Sequence, residues 1–156
     1  MRIRLQKATL QDMKALWEMQ KKAFAELLEK YQDIDTNPAN ESYEALLEKY
    51  HQPQTTYYFL MYGEEAVGGM RITDFQNDEK MKRISPIFVM QQYQNRGFAK
   101  EAILEAEQIH GRHGWSLDTI LQEEKNGALY EKMGYRRTGR SKQINDNLTL
   151  VRYEKA

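Results

Sequence analysis

The sequence contains no cysteine, which removes a disulfide scaffold, a thiolate zinc site and a cysteine nucleophile together. It has no excess of charge of either sign: Lys plus Arg and Asp plus Glu each number 23 in 156 residues. Proteins that bind a phosphate backbone normally show a basic excess, so nucleic acid is not expected as a partner. No stretch approaches the roughly 20 apolar residues needed to cross a bilayer. The polar, alternating start Met1-Arg-Ile-Arg-Leu-Gln-Lys7 also lacks the apolar core of a signal peptide. A cytoplasmic protein with no membrane partner is the expectation. Neither GxxxxGK[ST] nor GxGxxG occurs, so a nucleoside triphosphate or dinucleotide site is unsupported. The three histidines (His51, His110, His113) lack metal-ligand spacing, and no metal is expected.

What remains is a globular chain, with 40% hydrophobic and 29% charged residues. Its length suits one domain with a core, and no repeat, linker or low-complexity segment divides residues 1–156. Ile3 to Lys7 alternates as a short strand. Thr9 with Asp12 resembles a capping box, and Leu10, Met13, Leu16, Trp17, Phe24, Leu27, Leu28 and Tyr31 mark one face of a helix over 10–30. Residues 32–41 read as an acidic loop, and Tyr43, Leu46, Leu47 and Tyr50 as a second helix. The period then shortens to two. Strands are predicted over 56–62, 66–73 and 81–90, the first two as a hairpin. Pro86 lacks a ladder donor, so it predicts an edge, a bulge or a splayed strand. A helix over 98–110, a strand over 116–121, a helix over 126–133 and strands over 135–144 and 148–154 complete the order β-α-α-β-β-β-α-β-α-β-β. That order is α/β, built on a mixed (α+β) sheet.

The strand, turn and helix from Ile84 to His110 carry the chemistry. A helix N-terminus presents unpaired N–H groups and partial positive charge, so it favours an anion. Gly97 leaves room for the backbone to approach a phosphate, Ala99 keeps the first turn open, and Arg96 and Lys100 add positive charge. Val89-Met-Gln-Gln-Tyr-Gln-Asn-Arg-Gly-Phe-Ala99 resembles the central motif of the GNAT acetyltransferases, a strand ending in valine before a Q/R-x-x-G-x-G/A turn. Leu129-Tyr-Glu-Lys-Met-Gly-Tyr135 is similar to that family's later L-Y-E-K-x-G-F/Y segment. The resemblance is carried by residues 80–140 and elsewhere by element order. It implies an N-acetyltransferase that binds acetyl-CoA and moves the acetyl group directly to a primary amine of a small molecule or peptide. The backbone of Ile87, Phe88 and Val89 would hold the pantetheine arm, and Gln94, Asn95, Arg96, Gly97, Phe98, Ala99 and Lys100 the pyrophosphate. Asn126 is included with the cofactor residues, although the family often has its Asn at the position of Glu123.

Tyr130 is the expected acid for the leaving thiolate, against the plainer role of a half-buried aromatic on the sheet. Many family members carry a Glu on the strand before the glycine turn, but Lys82-Arg-Ile-Ser-Pro-Ile-Phe-Val89 has no acid. Glu123 is the candidate base in its place, or else a solvated strand-end acid. Tyr31, Asp33 and Asp35 are candidates to hold a cationic acceptor, or else ordinary loop residues. Two other classes stay open: a non-catalytic acyl-CoA-binding or regulatory domain, and an interaction module using an exposed last strand, the latter leaving a homodimer open.

Overall fold

A computed structural model describes residues 2–156. The predicted strands and helices are all present, with ends moved by a few residues at most. The strands are β1 (Ile3–Lys7), β2 (Thr55–Tyr62), β3 (Glu65–Thr73), β4 (Lys82–Val89), β5 (Trp115–Ile120), β6 (Arg136–Asn145) and β7 (Leu148–Lys155). The helices are α1 (Met13–Tyr31), α2 (Tyr43–Tyr50), α3 (Phe98–His110) and α4 (Glu124–Lys132). The Thr9 capping box forms, with the Thr9 N–H donating to Asp12 Oδ2 at 2.8 Å. It starts a 3-10 turn over Leu10–Asp12 that leads into α1, which is why the helix proper begins later than the apolar period.

All strands join one seven-stranded sheet in the order β1-β2-β3-β4-β5-β7-β6. Alternation divides its side chains between two cores. Tyr57, Phe59 and Met61 of β2 meet Met13 and Leu16 of α1 and Leu46 of α2 on one face. Leu60, Ile72, Ile84, Leu117 and Val151 meet Ala102, Ile103 and Ala106 of α3 and Tyr130 of α4 on the other. Each fully buried Leu or Ile is worth about 1.5–3 kcal/mol, so both layers clamp the central strands. Among the described residues no helix is long and apolar enough to cross a membrane.

Two features of β4 shape the molecule. First, β4 runs parallel to β5 but pairs with it only at Lys82↔Trp115 and Arg83↔Ser116; beyond these the strands part. Pro86 sits just past that point, after a cis Ser85–Pro86 bond, where the β3–β4 register also shifts. The bulge and splay expected of Pro86 are both found. Second, β4 lies so close to β3 that a Cβ on Gly68 would stand 2.1 Å from the Phe88 carbonyl oxygen, which only glycine permits.

The last strand requires a correction. β7 is not exposed: it lies between β5 and β6 with both backbone edges paired. The edge on that side is β6, exposed from Arg136 to Gln143, with Arg136, Arg137, Arg140 and Lys142 along it. Charges on an edge oppose pairing with another strand, so the dimerisation expected of the last strand loses its basis.

Candidate active site

The turn that leads into α3 is built from its own residues. Gln94 Nε2 donates to the Val89 carbonyl at 3.0 Å, and the Gln94 N–H to the Gln91 carbonyl at 3.3 Å, so Gln94 braces the turn. Tyr93 donates its hydroxyl proton to Glu65 and ties the turn to the β2–β3 hairpin. Asn95 and Gly97 are left-handed, at φ 65° and 80°. The side chain of Phe98 packs into the core against Tyr62, at 4.8 Å between centroids, and fixes the helix start. Along α3 the first bond from inside the helix runs from the Glu101 N–H to the Gly97 carbonyl, and no side chain caps the end. The amides of 98–100 thus face outward from a 13-residue helix. A Cβ on Gly97 would meet no protein atom within 4 Å, so the backbone there is open to a ligand. Arg96 and Lys100 are exposed beside it.

Ile87, Phe88 and Val89 lie on the splayed half of β4. They pair with Met70, Gly69 and Gly68 of β3 on one edge, while the edge toward β5 carries no ladder. Apart from the Val89 carbonyl, which Gln94 holds, backbone groups on that edge stand ready for an extended ligand. Phe88 turns its ring to Phe24 of α1, whereas Ile87 and Val89 pack on the core that contains Tyr130. Tyr130 is buried, with its ring about 6 Å from those of Tyr153 (6.0 Å) and Tyr135 (6.2 Å). Burial alone pushes its phenol up to about 12. Asn126 sits one turn earlier on α4, exposed in the first turn.

Glu123 and Tyr31, expected in separate roles, are in contact. The Tyr31 hydroxyl donates to Glu123 Oε2 at 2.5 Å, and Lys30 Nζ lies 2.9 Å from the same oxygen. The Tyr31 hydrogen bond, then that of Lys30, holds the Glu123 carboxyl below its usual range. A carboxylate so stabilised is a weaker proton acceptor, and its bonds join the end of α1 to the start of α4. Tyr31 in turn gives its hydroxyl proton to that junction. Asp33 is 4% exposed and closes its own turn, accepting from the Thr36 N–H and hydroxyl. Asp35 is exposed on the same loop.

One group of residues escaped the sequence. Arg71, Arg83, Asp118 and Arg152 form a polar row across four strands on the α1 face. Arg83 Nη2 lies 2.8 Å and Arg152 Nε 3.0 Å from the Asp118 carboxylate, and Arg71 Nε donates to the Ser85 carbonyl at 2.6 Å. Burial raises the Asp118 carboxyl, but the hydrogen bonds from Arg152 and Arg83 outweigh it and hold the group ionised. The only signal was charge placed within otherwise apolar strands, and only Asp118 is alone in its strand.

Residues 15–135 match the model of the acetyltransferase (GNAT) family. No curated protein matches the chain. Among solved structures, it resembles a spermidine N-acetyltransferase from Vibrio cholerae in complex with CoA and spermine. The TM-score is 0.76 at 17% identity, over 97% of this chain and 94% of that one. PaiA N-acetyltransferase from Thermoplasma acidophilum, in complex with coenzyme A, gives 0.74 at 17% identity over the full length of both chains (100% each). An acetyltransferase from Thermus thermophilus gives 0.69 at 17% identity, over 98% and 96%. At such identities these likenesses establish the fold.

Proposed function

The chain belongs to the GNAT acetyltransferase family, and on that premise we propose that it moves the acetyl group of acetyl-CoA to a primary amine of a small molecule or peptide. One observation carries the assignment: a strand with a free backbone edge, β4, runs directly into the open N-terminus of α3. An extended amide-bearing arm and a pyrophosphate are the ligand chemistry that matches both parts. Bound acetyl-CoA supplies a thioester that an amine attacks directly, with the thiolate as leaving group.

The chain's own residues do the rest. Ile87 to Val89 bind the pantetheine amides through the β4 backbone, and the amides of 95–100 with Gly97 bind the pyrophosphate. The N–H of Phe88 or Val89 stabilises the developing oxyanion. Tyr130 protonates the leaving sulfur, and the proton that the nitrogen sheds as the amide forms passes to water, which in turn reprotonates the phenolate. Burial keeps its phenol protonated, and the same apolar surroundings penalise a thiolate, which narrows the gap between donor and acceptor. β4 has no carboxylate, Glu123 is held by Tyr31 and Lys30, and Asp118 by two arginines, so this reading assigns no base. The acceptor therefore arrives as the free amine, the minor form for a pKa near ~10 at neutral pH.

Purified protein, acetyl-CoA and a panel of primary amines test this, with free thiol release as the signal. Release on one or more amines, with a rate that rises as each amine deprotonates, is expected. Tight acetyl-CoA binding without release on any amine would replace the proposal by a non-catalytic acyl-CoA-binding domain.

A further inference from the structure

Nothing in acetyl transfer as described uses the polar row, yet the row stands where transfer would occur. Arg83↔Ser116 is the last pair before β4 and β5 part, and from that position Arg83 reaches across to Asp118 of β5. A donor with its pyrophosphate at 95–100 and its arm along Val89 to Ile87 points its thioester toward Ser85 and this apex. The row lies on the α1 face, because Ile72 and Ile84, the neighbours of Thr73 and Arg83 in the ladder, enter the opposite core.

The row is also incomplete in itself. Tyr57 stands opposite Arg71 in the β2–β3 ladder. Its hydroxyl and the Nη1 of Arg83 are buried without a hydrogen-bond partner among the described residues. Such donors lose their water and gain nothing in return. Arg71 makes no salt bridge among the described residues. The nearby carboxylates are otherwise engaged: Asp118 by Arg83 and Arg152, Glu154 near Arg152, and Glu41 by Lys49. Arg83 retains 30% side-chain exposure and Arg71 is half-buried, so both are reachable from the α1 side.

We infer that the acceptor amine carries a carboxylate, and that Arg71 and Arg83 anchor it beside the thioester. The assignment rests on the acetyl-transfer proposal above. A guanidinium fork matches a carboxylate in shape and charge, and Asp118 holds the Arg83 fork in place. A polyamine would bring a second cation against the same arginines and be repelled. Spermine, in the Vibrio cholerae complex, is therefore not the kind of acceptor this row selects.

The test has two arms. In the first, thiol release is followed with ω-amino carboxylates of one to five methylenes, each beside its carboxamide, and with spermidine. At least one amino carboxylate should exceed its carboxamide by about tenfold or more in kcat/KM. Arg71→Gln and Arg83→Gln should pull that ratio toward one with acetyl-CoA affinity unchanged. A preference for carboxamides or spermidine, or a ratio that survives both substitutions, overturns the inference. In the second arm, calorimetry measures the matching alkyl carboxylates, which lack the amine, binding to the CoA-loaded protein. Binding that weakens in both variants supports the anchor even without turnover. No carboxylate binding to the unaltered protein overturns it even if amines are acetylated. Failure to bind CoA at all would sink the acetyl-transfer proposal and the acceptor assignment with it.

Discussion

Replacing Gly97 by alanine separates the two demands made on the turn before α3. The first is conformational: Gly97 sits at φ 80°, a left-handed geometry that costs an L residue about 1–2 kcal/mol. No protein atom lies within 4 Å of the new methyl, so overpacking adds nothing. For a chain of this length the loss corresponds to a fall in Tm of about 2–8 °C. The second demand comes from the ligand. The methyl stands beside the outward amides of 98–100 and would displace a phosphate from one or more of them. A hydrogen bond to a charged group is worth about 1.5–3 kcal/mol, so acetyl-CoA should bind about 10- to 100-fold more weakly. S-acetylpantetheine, which has the arm and thioester but no pyrophosphate, is the control, and its KM should not change. Scanning calorimetry and thiol-release kinetics with both donors give the comparison. Equal weakening of the two donors, or a lower Tm with unchanged acetyl-CoA affinity, would refute placement of the pyrophosphate at this turn.

Tyr130→Phe should lower kcat about 10²- to 10⁴-fold with little change in KM for acetyl-CoA; unchanged turnover would remove it as the acid. Because burial pushes the Tyr130 phenol up to about 12, the donor stays protonated across the assay range. The rate should climb with pH and not fall before about pH 10, and a descending limb near neutrality would point to another donor. Glu123 has a folded pKa below its unfolded value, so its stabilisation is present above about pH 4.3 and disappears as pH falls through the folded pKa. Glu123→Gln should remove that acid-sensitive increment, at most about 1 kcal/mol for a part-exposed pair, seen by urea unfolding at pH 7 against pH 3. The rising limb of the pH–rate profile should survive, and its loss would restore Glu123 as the base. Gly68→Ala forces a Cβ to within 2.1 Å of the Phe88 carbonyl, which should cost about 1–3 kcal/mol or more and raise KM for acetyl-CoA as β4 shifts. Full stability in guanidinium titration would show that β4 yields without loss.

The elements were legible because each is a local pattern: period two in β2 and β3, a wide apolar stripe in α1, glycine at the mouth of α3. Pro86 even announced the splay, since a missing donor has local consequences. The strand order was not legible. A hairpin around Asn145–Asn147 is satisfied equally with β6 or β7 beside β5, and only packing selects β7. Glu123 and Tyr31 meet across 92 positions of sequence, and no local signal announces such a contact. Asp33 was half legible, because the three-residue spacing to Thr36 is that of a self-closed turn.

The polar row shows why the acceptor side resisted the sequence while the cofactor side did not. A pyrophosphate is held by backbone amides, so its site must be written in residues that shape the backbone, and glycine at a helix start is conspicuous. A side-chain anchor needs no special backbone. Arg71, Arg83, Asp118 and Arg152 each occupy a normal strand position, and each alone reads as a charge on a solvent face. They become a site only because four strands that are distant in sequence are adjacent in the sheet and α1 leaves that face partly open. The same reasoning bears on the neighbours in structure. Seventeen per cent identity preserves the backbone-written part of the fold and leaves the side-chain row free to differ, so the acceptor must be argued from this chain's own arginines.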